Sequence, residues 1–365
     1  MTVRRLQTWL AVIVIGVGVL LLGIAGLFVY VSNTAVPLHT GAHDVPTSSR
    51  GTPSAAWTAA VEQARQVVLT GIVEQNLPGV SVAVGVGGEL VWAEGYGWSD
   101  LDRRLPVEPD TRFRIGTASV ALTSAAVGLL LEQNRLRLDE RIQVWVPEFP
   151  EKPWPVTLRQ VMAHTAGIRN DGGDEGPLYG RRCARPVEAL DAFADRDLLF
   201  EPGTQSRYSS FGWIVVSAAV EAAAGEPFLS FMRTRVFEPL GMRDTKADSL
   251  AEPVANMATS YFPRFAADPA YGPDVMRPVE YSCYAGASAF VSTPADLVRF
   301  GMAVHHGTVP TPEVGTRHIG TLLGGPVASL LTLPEYGIVV AVLSNTSYAD
   351  TESLANRIAQ AFVTR

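Results

Sequence analysis

From Trp9 to Val31 the chain carries no charged side chain. An apolar helix of about 20 residues, rising ~1.5 Å per residue, spans the hydrocarbon core of a bilayer. A buried core helix can share that composition, but the terminal position and the basic flank of Arg4 and Arg5 argue for a membrane segment. The run is also longer than the roughly 7–15 apolar residues of a cleaved signal, although Ser32–Ala35 offers a poor cleavage site. After Arg5 no Lys or Arg follows until Arg50. The positive-inside rule then predicts a cytoplasmic N-terminus over residues 1–8 and a transmembrane helix over 9–31, with the main domain in the periplasm or outside the cell.

Removing Arg4 and Arg5 from the 29 basic residues leaves 27 against 36 acidic ones, a charge of −9 on the exported part. An acidic body argues against nucleic acid and against anionic membrane surfaces as partners. The cysteines are Cys183 and Cys283. Export allows a disulfide. Each cysteine lies in an irregular stretch, however, and nothing in the sequence brings them together, so the expectation is two free thiols.

Residues 32–56, rich in Thr, Ser, Pro and Gly, show no hydrophobic period and read as a flexible stalk. The folded domain then runs over 57–365. Trp57 to Gln75 has helical spacing through Val61, Ala64, Val68 and Ile72. At Val80 the period changes to two: Val80, Val82, Val84 and Val86 alternate, Gly87-Gly88 turns the chain, and Leu90-Val91-Trp92 returns it. This pattern predicts a β-hairpin. A second hairpin is expected from Ala328–Thr332 and Ile338–Leu343, followed by a helix over Thr351–Val363. Between the hairpins, helices are expected over Ala118–Gln133, Thr157–His164 and Phe211–Ala224, the last stopped by Gly225. The fold class is α/β: one antiparallel sheet built from N- and C-terminal segments, with a mostly helical lobe between them.

Common catalytic signatures are missing. There is no G-x-S-x-G elbow, no H-E-x-x-H and no P-loop. His305-His306 has no third ligand at metal spacing, so no metal and no cofactor is expected. What the chain does contain is a series of segments in a particular order. They are Phe113-Arg114-Ile115-Gly116-Thr117-Ala118-Ser119-Val120, then Leu158 to Ile168 with His164-Thr165-Ala166-Gly167, then Glu201-Pro202-Gly203 and Tyr208-Ser209-Ser210. Phe237-Glu238-Pro239-Leu240-Gly241-Met242, His318-Ile319-Gly320 and Leu343-Ser344-Asn345 follow. In order and spacing this series resembles the serine β-lactamase-related, penicillin-binding-protein-like hydrolases: class C β-lactamases, esterases and peptidases, and especially the mitochondrial serine β-lactamase-like protein. The resemblance covers about Trp57 to Val363 and implies the β-lactamase/transpeptidase-like fold.

The resemblance also implies a site. In that family a Ser opens a helix and attacks a carbonyl, and a Lys three residues later stands one turn along to take its proton. A Tyr of a Y-x-N or Y-x-S motif shares the proton work. A K-T-G or H-x-G strand lines the opposite wall. Here the nucleophile position is Thr117 and the lysine position is Val120. Tyr208 and Ser210 match the tyrosine motif, and His318 and Gly320 match the strand. Lys152 and Lys246 are the two lysines of the chain, and neither follows a Ser by three. The methyl of Thr117 restricts its rotamer and crowds attack, and Val120 neither accepts nor donates a proton. A second departure is length. The family usually carries about 50 residues between the segment like Ser292–Leu297 and this strand, whereas here Gly307 reaches His318 through Thr308–Arg317, so part of the pocket rim is expected to be missing.

The expectation is therefore a membrane-anchored family member, catalytically impaired, that binds cell-wall peptide or another peptide-like molecule through the old cleft. The alternative is a slow amide or ester hydrolase with Thr117 as nucleophile. Thr117 as a helix N-cap, Tyr208 as a core aromatic, and His164 as a structural residue ending its helix are the plainer roles open to these side chains.

Overall fold

The computed structural model describes residues 3–170, 178, 180–266, 268–310, 317–321 and 326–363. Helix α1 covers Val3–Ser32. Its Val12–Val31 portion has a mean hydropathy of 2.9 and is entirely unburied, so it is long and apolar enough to cross a membrane, as a signal sequence also is.

The strand β1 (Thr47–Ser49) and the helix α2 (Thr58–Glu74) lead into the first hairpin, β2 (Gly79–Val86) and β3 (Glu89–Asp100). Its turn residues Gly87 and Gly88 have φ of 58° and 91°, values that favour glycine. Short strands β4 (Leu105–Pro106) and β5 (Phe113–Arg114) follow, then α3 (Ser119–Glu132), α4 (Leu158–Met162), α5 (Ser210–Ala224) and α6 (Phe228–Phe231). Next come β6 (Lys246–Ala247), β7 (Tyr261–Pro263), β8 (Pro273–Val275), β9 (Phe290–Ser292) and α7 (Pro294–His305). The chain closes with β10 (Arg317–Thr321), β11 (Val327–Leu333), β12 (Ile338–Ser344) and α8 (Thr351–Val363).

The main sheet has the order β1-β3-β2-β12-β11-β10, with β4 beside β3. Every pairing is antiparallel. Both expected hairpins form, and they join through β2 and β12, where Ala83 faces Ala341 and Val82 faces Val342. The period of two sorts side chains to two cores. Val80, Val82, Val84, Val340 and Val342 pack under α2 and α8, together with Val61, Val68, Ile72, Leu354 and Ile358. Ala83, Val339, Ala341 and Leu343 face the other way, into the large core of the helical lobe. All of β12 is buried, as a central strand covered on both faces requires. Burying each such valine stabilises the fold by about 1.5 kcal/mol.

Three expectations change. Residues 32–56 are not a loose stalk. The Val36 N–H donates to the Ala270 carbonyl at 2.7 Å, the Leu38 N–H donates to Asn76 Oδ1 at 2.7 Å, and β1 pairs with β3 from Thr47↔Tyr96 to Ser49↔Glu94. Backbone donors and acceptors paired at both ends hold the segment, which apolar periodicity alone does not reveal. The helix expected over Thr157–His164 stops at Met162, because His164 takes a positive φ of 58°. Its N-terminus is fixed by a capping box between Thr157 and Gln160. Finally, Cys183 and Cys283 are joined in a disulfide with Cα atoms 4.7 Å apart, so the expected free thiols are not found. The pairing depends on the tertiary meeting of two loops 100 residues apart.

Candidate active site

Thr117 is set in place by the strand before it. β5 pairs with β9, Phe113 opposite Ser292 and Arg114 opposite Val291. The Arg114 guanidinium is ion-paired with the buried Asp248 and donates to Ser260 Oγ at 3.0 Å. The Ile115 N–H donates to the Phe290 carbonyl at 3.1 Å. Gly116, at φ 51°, then bends the chain into a tight turn over Gly116–Ala118 that feeds α3. Thr117 is the middle residue of that turn and is half-buried. It is not the N-cap: that position belongs to Ala118, which has no side-chain cap. Val120 follows one turn later and packs against the core of the helical lobe. Ser119, the other hydroxyl nearby, is fully buried, and its Oγ accepts from the Phe290 N–H at 3.4 Å. That burial removes it as a nucleophile.

Beneath this turn lies a second support that the sequence did not suggest. Thr123 of α3 donates to the Gly286 carbonyl at 2.9 Å. The Gly286 N–H donates to Ser217 Oγ of α5 at 3.1 Å, and Ser217 in turn donates to the Trp213 carbonyl at 2.8 Å. Gly286 thus joins α3 to α5. A Cβ there would stand 2.2 Å from Thr123 Oγ1 and 2.7 Å from Phe228 Cζ. Its turn, Ser282–Ala287, contains Ala285 at φ 43° and the disulfide partner Cys283.

Tyr208 and Ser210 stand at the start of α5. Ser209 is the N-cap, its Oγ accepting from the Gly212 N–H at 3.2 Å. Asn170 Oδ1 takes the N–H groups of Ser210 and Phe211, at 3.0 and 3.4 Å, so most of the helix's free donors are satisfied. His164 Nδ1 accepts from the Ser209 N–H at 3.2 Å, and its ring packs on Tyr208 with centroids 4.6 Å apart. Burial holds the His164 imidazole below its ordinary pKa, so it is neutral at pH 7 with its hydrogen on Nε2. His164 is thus a prop for the tyrosine loop. Tyr208 is no core aromatic: it is 46% exposed, and its hydroxyl accepts from Ser210 Oγ at 3.2 Å.

The opposite wall is β10. His318 pairs with Leu330 and Gly320 with Ala328, and both β10 and β11 lie against the Thr117 turn. The strand keeps its place at the sheet edge despite the short approach from α7. The segments 171–177, 311–316 and 322–325 lie outside the described residues, and most of the short approach falls there. The structure therefore brings Thr117, Val120 and the H-x-G strand to one locality, and places Ser210 at the start of the helix packed beside α3, with Tyr208 just before it. Asn170 and Gly286 were missed, since an amide in a loop and a glycine in a turn carry no periodic signal. Among the described residues no group of three His, Cys, Asp or Glu is arranged to hold a metal.

Comparison with known proteins agrees with this fold. The Beta-lactamase family profile matches residues 57–315. The human serine beta-lactamase-like protein LACTB, mitochondrial, is 28% identical over 322 residues, covering 70% of this chain and 58% of its own length. The mouse protein of the same name is 27% identical, covering 72% and 59%. The chain therefore spans just under three-fifths of these relatives. Among solved structures, FmtA from Staphylococcus aureus superposes with a TM-score of 0.72 at 18% identity, over 87% of this chain and 90% of that one. The hydrolase EstCE1 gives 0.69 at 23%, over 84% and 99%. Fold and profile together define a serine β-lactamase/penicillin-binding-protein-like protein. This chain belongs to the beta-lactamase family.

Proposed function

We propose that this chain is a membrane-anchored, catalytically impaired member of its family that binds cell-wall peptide or a similar peptide-like ligand in the old cleft. The observation that carries this is Val120. It occupies the position one turn after Thr117 and packs against apolar core, so no side chain there takes the hydroxyl proton. A positioned general base contributes about 10²–10⁴ in rate, and a hydroxyl without one is a weak nucleophile at neutral pH. His164 does not substitute: its Nδ1 is engaged by the Ser209 N–H. Tyr208, Ser210, His318 and Gly320 are assigned to ligand binding. Helix α1 is assigned as the anchor, with residues 1–8 on the cytoplasmic side and the domain on the far side.

Calorimetric titration of the full-length protein in detergent with soluble cell-wall peptide fragments tests this. Saturable binding without product, weakened at least tenfold by Tyr208→Ala, is expected. Absence of binding removes the ligand assignment, and steady product release abolished by Thr117→Ala establishes the hydrolase alternative.

A further inference from the structure

The joint between α1 and the domain is nearly free of slack. Past the end of the helix, Asn33 Nδ2 donates to the Val29 carbonyl at 2.7 Å and Thr34 Oγ1 to the Tyr30 carbonyl at 2.8 Å. Both residues thus remain fastened to the last turn. Two residues after Thr34, the Val36 N–H is bonded to Ala270 of the domain. The Val36 carbonyl is bonded to Asn76 Nδ2, which also bonds the Pro269 carbonyl, each at 3.0 Å. A single residue, Ala35, separates the last atom held by the helix from the first held by the domain. One residue of extended chain reaches only about 3.5 Å.

The domain element at this joint is the two-stranded loop formed by β7 and β8. Its tip carries Phe265, a bulky residue held at φ 56° and ψ 21°, a backbone conformation such residues rarely adopt. The ring is 46% exposed in the absence of lipid and packs on Phe28 with centroids 4.9 Å apart. Phe28 lies within the apolar span, three residues before its end at Val31, or about 4.5 Å inside at ~1.5 Å per residue. With its centroid 4.9 Å from that of Phe28, the Phe265 ring lies close to the end of the span. Val275, on the paired strand, is 51% exposed as well. The charged side chains of Tyr261–Val275 are Arg264, ion-paired with Asp274, and Asp268, which leaves the loop a net charge of −1.

We infer that the Tyr261–Val275 loop is a membrane-contacting element: Phe265 enters the outer lipid interface beside α1 and fixes the height and tilt of the domain over the bilayer. The inference rests on α1 being a membrane span. Because the loop carries no net positive charge, binding relies on burial of aromatic surface and not on anionic headgroups. Zwitterionic lipid suffices, and salt has little effect.

The test uses full-length protein in phosphatidylcholine liposomes, with Phe265→Cys carrying an environment-sensitive fluorophore and Tyr336→Cys as an exposed comparison site. The expected result is quenching of the Phe265→Cys label by lipids spin-labelled near the headgroup, and iodide quenching several-fold weaker than at Tyr336→Cys, unchanged between 50 and 500 mM salt. Equal iodide quenching at both sites, in protein that resists carbonate extraction, overturns the inference and leaves the span intact. Extraction by carbonate overturns the span itself. Protection that persists in detergent and scales with protein concentration overturns the inference in favour of a second copy covering Phe265.

Discussion

Breaking the Cys183–Cys283 bond is expected to destabilise the domain without unfolding it. The bond closes a loop of 100 residues. In the chain-entropy description such a loop restricts the unfolded state by about 4.7 kcal/mol, with about 3 kcal/mol retained where native strain or residual structure intervenes. Unfolding entropy near ~2.1 cal/mol/K per residue gives roughly 0.6 kcal/mol per degree for a body of about 300 residues, so the midpoint should fall by ~5–8 °C. Cys183 and Cys283 are both buried, so alanine is the replacement of choice. Scanning calorimetry of wild type, Cys183→Ala, and the Cys183→Ala/Cys283→Ala pair should show equal losses for the two variants. Wild type in reductant should match them. The loss should extend to the site, because Cys283 belongs to the turn that carries Gly286 between α3 and α5. Unchanged midpoints in both variants, with two thiols titratable in unreduced native protein, would refute the reasoning.

Gly286→Ala forces a Cβ to within 2.2 Å of Thr123 Oγ1 and 2.7 Å of Phe228 Cζ. It should cost about 1–3 kcal/mol in denaturant melts, where an unchanged midpoint would show the three-way contact to be loose. Glu94 is buried beneath the sheet, where it is ion-paired with Arg65 and accepts the Tyr96 hydroxyl at 2.6 Å. Glu94→Ala leaves the Tyr96 hydroxyl without this acceptor and Arg65 with Glu62, and should cost about 1–3 kcal/mol, read from urea unfolding. His39 and His164 are each held below their ordinary pKa by burial. The unfolded chain therefore binds their protons first as pH falls, and stability present above about pH 6.5 should be lost progressively toward pH 5. Unfolding midpoints measured across that window should show a shallower slope in His164→Asn, and an identical slope would remove His164 from the account.

The sheet was legible because period two is a strong signal. Val80 to Val86 alternate, and Ile338 to Leu343 form an unbroken apolar run after a turn, which together announce two hairpins of one sheet. Helices α2, α3, α5 and α8 were legible through their apolar spacing and, for α5, through Gly225, which takes φ 65° at the C-terminus. The Thr117 turn was found through resemblance and not through any periodicity. Contacts made by single polar groups across long separations stayed hidden. Asn76, which clasps both Val36 and Pro269, turns an apparent stalk into part of the domain. The disulfide and the Gly286 bridge are of the same kind: each depends on two loops meeting, which no local pattern encodes.

The central claim is that Val120 supplies no base one turn after Thr117, and it is testable by intact mass. Full-length protein in detergent is incubated with penicillin and with an activated ester, then weighed beside Thr117→Ser and Thr117→Ser/Val120→Lys. Wild type and Thr117→Ser should gain no adduct. The double variant should acylate slowly, because partial burial at position 120 lowers the new lysine's pKa and lets it act as a base. A stoichiometric adduct on wild-type protein, mapped to Thr117 and abolished by Thr117→Ala, would contradict the account.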